Sequence, residues 1–117
     1  MENVSGPGLI TLLSRLSKAL MKKTSEAVLG MRWRQFHALG YLREHPGVSQ
    51  QEIGEVMMLD DNAVVLLLNE LEAAGWSVRR RDPGDRRRHL VELTPAGLEA
   101  VNRAEKAREG IEDELLG

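Results

Sequence analysis

The chain has 117 residues, 42% of them apolar and 29% charged, the composition and size of one globular domain. It holds no cysteine, which excludes disulfides and thiolate chemistry; its single Phe and single Tyr exclude an aromatic platform for single strands, and the lack of any long apolar run or signal peptide predicts a soluble, cytoplasmic protein with no membrane partner. The formal net charge is −2, yet Arg79 to Arg88 carries six Arg against Asp82 and Asp85, a local +4 that leaves −6 on the remainder.

Gly6-Pro7-Gly8 opens a first helix in which Leu9, Leu13, Leu16 and Leu20 follow a 4, 3, 4 spacing, the narrow seam of a helix that meets another helix. A second helix is predicted from about residue 32 to residue 44, turning Phe36, Leu39, Tyr41 and Leu42 inward, and His45-Pro46-Gly47 stops it. Ser49-Gln50-Gln51-Glu52 is a capping box, so a short third helix begins there and buries Ile53 and Val56. Asp60 then caps a fourth helix that runs to Ala74 and ends at Gly75.

In that fourth helix Val64, Leu67, Leu68 and Leu71 sit at i, i+3, i+4 and i+7 and form the core stripe. Asp61, Asn62, Val65, Leu66 and Asn69 fall on the opposite face. Residues 76–81 and 89–93 make two strands of a hairpin around the turn Asp82-Pro83-Gly84-Asp85. Thr94-Pro95 launches a last helix, in which Ala100, Ala104, Ala107, Ile111 and Leu115 form a second packing seam.

Two helices joined by a tight turn, the second presenting its first turns outward, are a helix-turn-helix, and the hairpin behind them is a wing. The expected fold is mainly α with a small β-hairpin. It is one domain over residues 1–117: a winged helix-turn-helix over 31–94, flanked by N- and C-terminal dimerisation helices over 7–29 and 95–117. The Arg cluster is then a positive tip aimed at a polyanion, with a merely solubilising hairpin as the plainer alternative. His37, His45 and His89 have no metal-ligand spacing. No nucleophile elbow, phosphate loop or dinucleotide fingerprint occurs, so neither an enzyme nor a cofactor is expected.

The stretch from Trp33 through Gly97, with GVSQQEIGEVMMLDDNAVVLLLNELEAAGW followed by RRRDPGDRRRHLVELTPAG, resembles the MarR family of bacterial transcription regulators. Its most specific part is Asp85-x-Arg87 followed by Leu90 and Leu93-Thr94, the wing signature of that family. The resemblance implies a homodimer on a double-stranded DNA operator, with recognition helices in successive major grooves and wing arginines in the flanking minor grooves. On the matched wing positions Arg87 enters the minor groove and Asp85 orients it, while Arg86 and Arg88 lie near phosphates; Arg81 on the same wing is a further DNA-binding candidate. A guanidinium suits a narrow, strongly negative groove. The plainer part for Asp85 is a turn aspartate bonded to its own backbone.

Where such proteins often carry Ser, Thr or Arg on the recognition helix, this chain has Asp61, Asn62, Ala63, Val65, Leu66 and Glu70. Asn62 could pair with an adenine edge, Asp61 could accept from a cytosine amino group, and Val65 or Leu66 could touch a thymine methyl, with Asn69 as a further polar reader. Modest base selectivity is the expectation, and a core or protein contact is the alternative for Val65 and Leu66. Ser49 and Gln50 at the third helix and Arg34 at the second are candidate phosphate contacts.

Family members commonly sense small aromatic or phenolic acids between the winged domain and the dimerising helices. Trp33, His37 and Tyr41 recur at i, i+4 and i+8, with Arg15 as a carboxylate partner; a packing stripe is the alternative. The family also continues past Glu112-Asp113-Glu114-Leu115-Leu116 into a further helix, whereas this chain stops at Gly117. The apolar seams of the first and last helices still predict a dimer, with a smaller interface than the family norm. The implied function is that of a repressor relieved by a small-molecule effector. The alternative is a winged-helix protein-interaction or dimerisation module without specific DNA binding.

Overall fold

The computed structural model describes residues 7–116 and, among side chains, those of residues 8–18 and 26–110. Helix α1 (Pro7–Leu29) leads into α2 (Trp33–Glu44), at whose start the Arg32 backbone N–H donates to Gln35 Oε1 at 2.9 Å. Phe36, Ala38, Leu39 and Leu42 of α2 face the core. Strand β1 (Val48–Ser49) follows; two residues are too few to show an alternation, so the sequence carried no sign of it.

Helix α3 (Gln50–Val56) begins at its predicted cap, where Ser49 Oγ accepts from the Glu52 backbone N–H at 3.1 Å. It buries Ile53 and Gly54, but Val56, expected inside, is 49% exposed. The side of α3 that meets α4 is its Ile53–Gly54 edge, where the Leu59 carbonyl and Val64 lie at ordinary contact distance from Gly54, and Val56 falls off that edge. Asp60 Oδ1 accepts from the Ala63 N–H at 2.8 Å to start α4 (Asp61–Ala73), and the stripe Val64, Leu67, Leu68 and Leu71 is buried as predicted.

Strand β2 (Ser77–Asp82) lies one residue on from its expected place, and β3 (Asp85–Leu93) begins four residues earlier than the sequence suggested. Asp82 pairs with Asp85 across Pro83-Gly84, with an irregularity between Arg81 and Asp82, so Arg86, Arg87 and Arg88 lie on a strand and not in a loop. Six arginines give no apolar alternation, so the backbone ladder alone reveals these turns of strand. The sheet is antiparallel with order β1-β3-β2, and Val91 at its centre pairs with Val48 on one side and Arg79 on the other.

Helix α5 (Pro95–Leu116) is capped by Thr94, whose hydroxyl accepts from the Gly97 N–H at 3.0 Å and donates to the Gly75 carbonyl at 2.6 Å. Ala100, Val101 and Ala104 sink into the protomer's own core, and Ala107 packs against it. The front half of the expected alanine seam is therefore used within one chain, because small residues let α5 lie close against the winged domain. Its far half, Ile111 and Leu115, lies outside the described side chains, as does Leu20 of α1.

The radius of gyration is 18.3 Å and the longest extent 68 Å, against about 13 Å for a compact domain of this length. The excess lies in α1 and α5, which pack against each other and project from the winged core. Ile10, Leu12, Leu13 and Leu16 of α1 are 55–61% exposed and Leu9 is half-buried. Among the described residues no helix is long and apolar enough to cross a membrane.

Candidate nucleic-acid interface

The outward face of α4 is open. Asp61, Asn62, Leu66 and Asn69 are exposed and Val65 is half-buried against the fold. The turn leading into α4 carries Met58 at φ 57°, a left-handed conformation, with the side chain 91% exposed.

The wing arginines divide by strand. On β2, Arg79 donates through Nε and Nη2 to both carboxylate oxygens of Glu72 at 2.9 Å, through Nη2 to Asn69 Oδ1 at 2.6 Å and through Nη1 to Gln50 Oε1 at 3.5 Å. Those hydrogen bonds hold the Glu72 carboxyl below the usual carboxylate range, and Glu72 in turn raises Arg79. Arg80 pairs with Glu92 at 2.9 Å, and Arg81 Nη1 donates to the Arg86 carbonyl at 2.9 Å. On β3, Arg86, Arg87 and Arg88 are exposed, and their guanidiniums have no partner among the described residues. Asp85 Oδ1 accepts from the backbone N–H of Arg87 at 3.0 Å, so it fixes the strand beneath Arg87 and leaves the guanidinium free. Asp82 braces the turn the same way, accepting from the Gly84 N–H at 2.8 Å.

These elements converge. Gln50 and Gln51 of α3, Asp61 and Val65 of α4, and Arg87 and Arg88 of β3 line one open cleft, with Ser49 and Val64 at its floor and His89 beside the arginines. Ser49 is buried, its oxygen occupied by the α3 cap. Arg86 instead shares a shallow concavity of the hairpin with Arg81, Asp82 and Pro83. Arg34 is exposed on the first turn of α2 and does not line the cleft.

A second concavity lies between α2 and α5. Trp33 and His37 line it, their rings 5.9 Å apart, with Phe36, Gly40 and Glu44 and, from across the gap, Glu105 and Arg108. Tyr41 is not part of it: its hydroxyl donates to Glu52 Oε2 at 2.5 Å, which raises its pKa, and its ring stacks on His45 at 4.1 Å. Eight residues along a helix of 3.6 per turn rotate Tyr41 by about 80° from Trp33, whereas Gly40 and Glu44 return to that face. Arg15 on α1 is exposed and does not line the concavity. The basic groups that do were missed in the sequence: Arg43, paired with Glu105 at 2.6 Å, and Arg108, 5.8 Å over the Phe36 ring. Their spacing in the chain carries no signal, since only the packing of α5 on α2 brings them together. Among the described residues no group of His, Cys, Asp or Glu could hold a metal ion.

A model of the MarR family matches residues 29–88 of the chain. The HTH-type transcriptional regulator PecS of Dickeya dadantii is 33% identical over 112 residues, covering 90% of this chain and 65% of that protein. The chain spans 32–65% of the length of the curated relatives it matches. Among solved structures, the transcriptional repressor CouR bound to a 23-mer DNA duplex superposes with a TM-score of 0.76 at 31% identity, over 95% of this chain and 81% of that one. The PcaV regulator of Streptomyces coelicolor in complex with its natural ligand superposes with a TM-score of 0.75 at 25% identity, over 99% of this chain and 82% of that one.

Proposed function

The chain belongs to the MarR family, and from that premise we propose that it is a sequence-specific regulator of transcription, a repressor that binds a double-stranded operator as a homodimer and is released by a small-molecule effector. The observation that carries this reading is the cleft in which the start of α3, the outer face of α4 and the unpaired Arg87 and Arg88 open on one side of the molecule. A helix face of that size enters a major groove, and a strand-borne guanidinium two residues from a tight turn reaches the adjacent minor groove. In this reading Asp61, Asn62, Val65, Leu66 and Asn69 meet base edges. Arg87 enters the minor groove, while Arg34, Gln50, Arg86 and Arg88 lie at phosphates.

Two copies join through α1 and α5, burying Leu9, Leu13 and Leu16, and set two recognition helices one DNA turn apart. The effector is a small aromatic or phenolic acid held between Trp33 and His37, its carboxylate drawn by the basic groups of the α2–α5 concavity. Support for an effector at that place is the mixed lining, aromatic on α2 and charged on α5.

The test is fluorescence anisotropy with the DNA upstream of the protein's own gene, against a scrambled duplex, before and after a panel of benzoic and phenolic acids. Tighter binding of the upstream duplex, reversed by one acid and not in a Trp33→Ala variant, is the expected result. Equal affinity for both duplexes would overturn the operator reading, and indifference to every acid the effector reading.

A further inference from the structure

We infer that Arg79 sets the base choice of Asn69 by holding its amide oxygen turned toward the wing, so that α4 presents the amide –NH2 to the groove and selects a keto base, guanine or thymine, over adenine. This rests on the DNA-binding reading above and deepens it.

The geometry is specific. Nη2 of Arg79 stands 2.6 Å from Asn69 Oδ1. A guanidinium carries five donors and no acceptor, so the amide facing it must turn its oxygen inward; the flipped amide would set donor against donor. Arg79 is itself immobilised by the two-point pair with Glu72 and by its bond to Gln50, and so is not free to release Asn69 or to swing toward a phosphate. Asn69 is exposed and lies on the stripe of Asn62, Val65 and Leu66, at seven, four and three residues' distance.

A free Asn matches adenine through both amide groups, accepting from N6 and donating to N7. With Oδ1 held toward Arg79, the –NH2 is the end of the amide that turns to the groove. Guanine O6 and N7 and thymine O4 accept from it and leave no donor over, whereas adenine accepts at N7 but leaves its N6 amino group unpaired, and cytosine presents only a donor. Arg79 is therefore a positioning residue, acting on DNA through Asn69 from its half-buried place in the joint between wing and helix.

The experiment is binding-site selection from randomised duplexes at low salt with the wild type, Asn69→Ala, Arg79→Met and Asn69→Asp. The wild type should select a keto base at one position per half-site that Asn69→Ala leaves indifferent. In Arg79→Met that position should move toward adenine by about tenfold, the worth of one two-point base contact. Asn69→Asp, an exposed change that keeps the Arg79 pair and replaces the outward donor by an acceptor, should move it to cytosine, and decides alone if Arg79→Met does not fold.

Adenine at that position in the wild type would overturn the inference. So would an unchanged keto preference in Arg79→Met or Asn69→Asp, or an Asn69→Ala variant that weakens all sequences alike, which is the mark of a phosphate contact. If the wild type retains no duplex at all, the DNA reading itself falls. If it retains duplexes whose preferences ignore Asn69, this inference alone does.

Discussion

Three of the six wing arginines are spent inside the protein and three are not, and the division follows the strands. Arg79, Arg80 and Arg81 on β2 bind Glu72, Glu92 and the Arg86 carbonyl, whereas Arg86, Arg87 and Arg88 on β3 face solvent without a partner among the described residues. Only the second group is free to meet phosphate or groove without breaking a contact first. Arg87→Ala should therefore weaken operator binding by about 1–3 kcal/mol and leave thermal unfolding unchanged, since it removes an exposed side chain with no intramolecular bond. Anisotropy and a melting curve on the same preparation check both halves. At Gly97 the opposite holds: a Cβ would stand 2.0 Å from the Trp76 carbonyl, a backbone atom that cannot step aside. Gly97→Ala should cost about 1–3 kcal/mol through forced displacement of α5 from the sheet, and an unaltered melting midpoint would contradict that packing.

Between elements, the joint of β2 with α4 is held by charge as well as by core. Glu72 is kept ionised below its ordinary range by Arg79, so its contribution is fully present above the unfolded carboxylate value of about 4.3 and is lost as pH falls through the lower folded value. The melting midpoint of the wild type should drop across that window more steeply than that of Glu72→Gln, and parallel curves would remove the pair from the stability of the wing. What the sequence made legible at this scale was the α4 stripe, the Ser49, Asp60 and Thr94 caps, and the Ala100, Ala104 and Ala107 spacing of α5. What it hid was whatever tertiary approach decides. Val56 is outside because α3 meets α4 on its Ile53–Gly54 edge, Tyr41 leaves the Trp33–His37 face through helical drift, and Arg43 and Arg108 meet only once α5 lies on α2. The wing signature named Arg87 and Asp85 by resemblance, and the bond from the Arg87 backbone N–H to Asp85 is the plainer turn-aspartate part that the sequence also offered.

At the scale of the molecule, two helices project from the winged core with apolar side chains exposed among the described residues. Leu13 and Leu16 are more than half exposed on α1, and in the proposed dimer a second copy covers them. Leu16→Glu should shift a wild-type dimer toward monomer in sedimentation at concentrations on the order of tens of micromolar, by placing an unpaired charge in the seam; a monomeric wild type would refute the assembly and with it the pairing of half-sites. The most direct test of DNA recognition by helix and wing is the salt dependence of affinity for a duplex between 50 and 200 mM salt. Phosphate contacts by Arg34, Arg86 and Arg88 from both protomers predict a log–log slope of about −5, a loss of roughly 10³-fold over that range. A slope near zero would contradict it and leave a protein-interaction module with a solubilising wing.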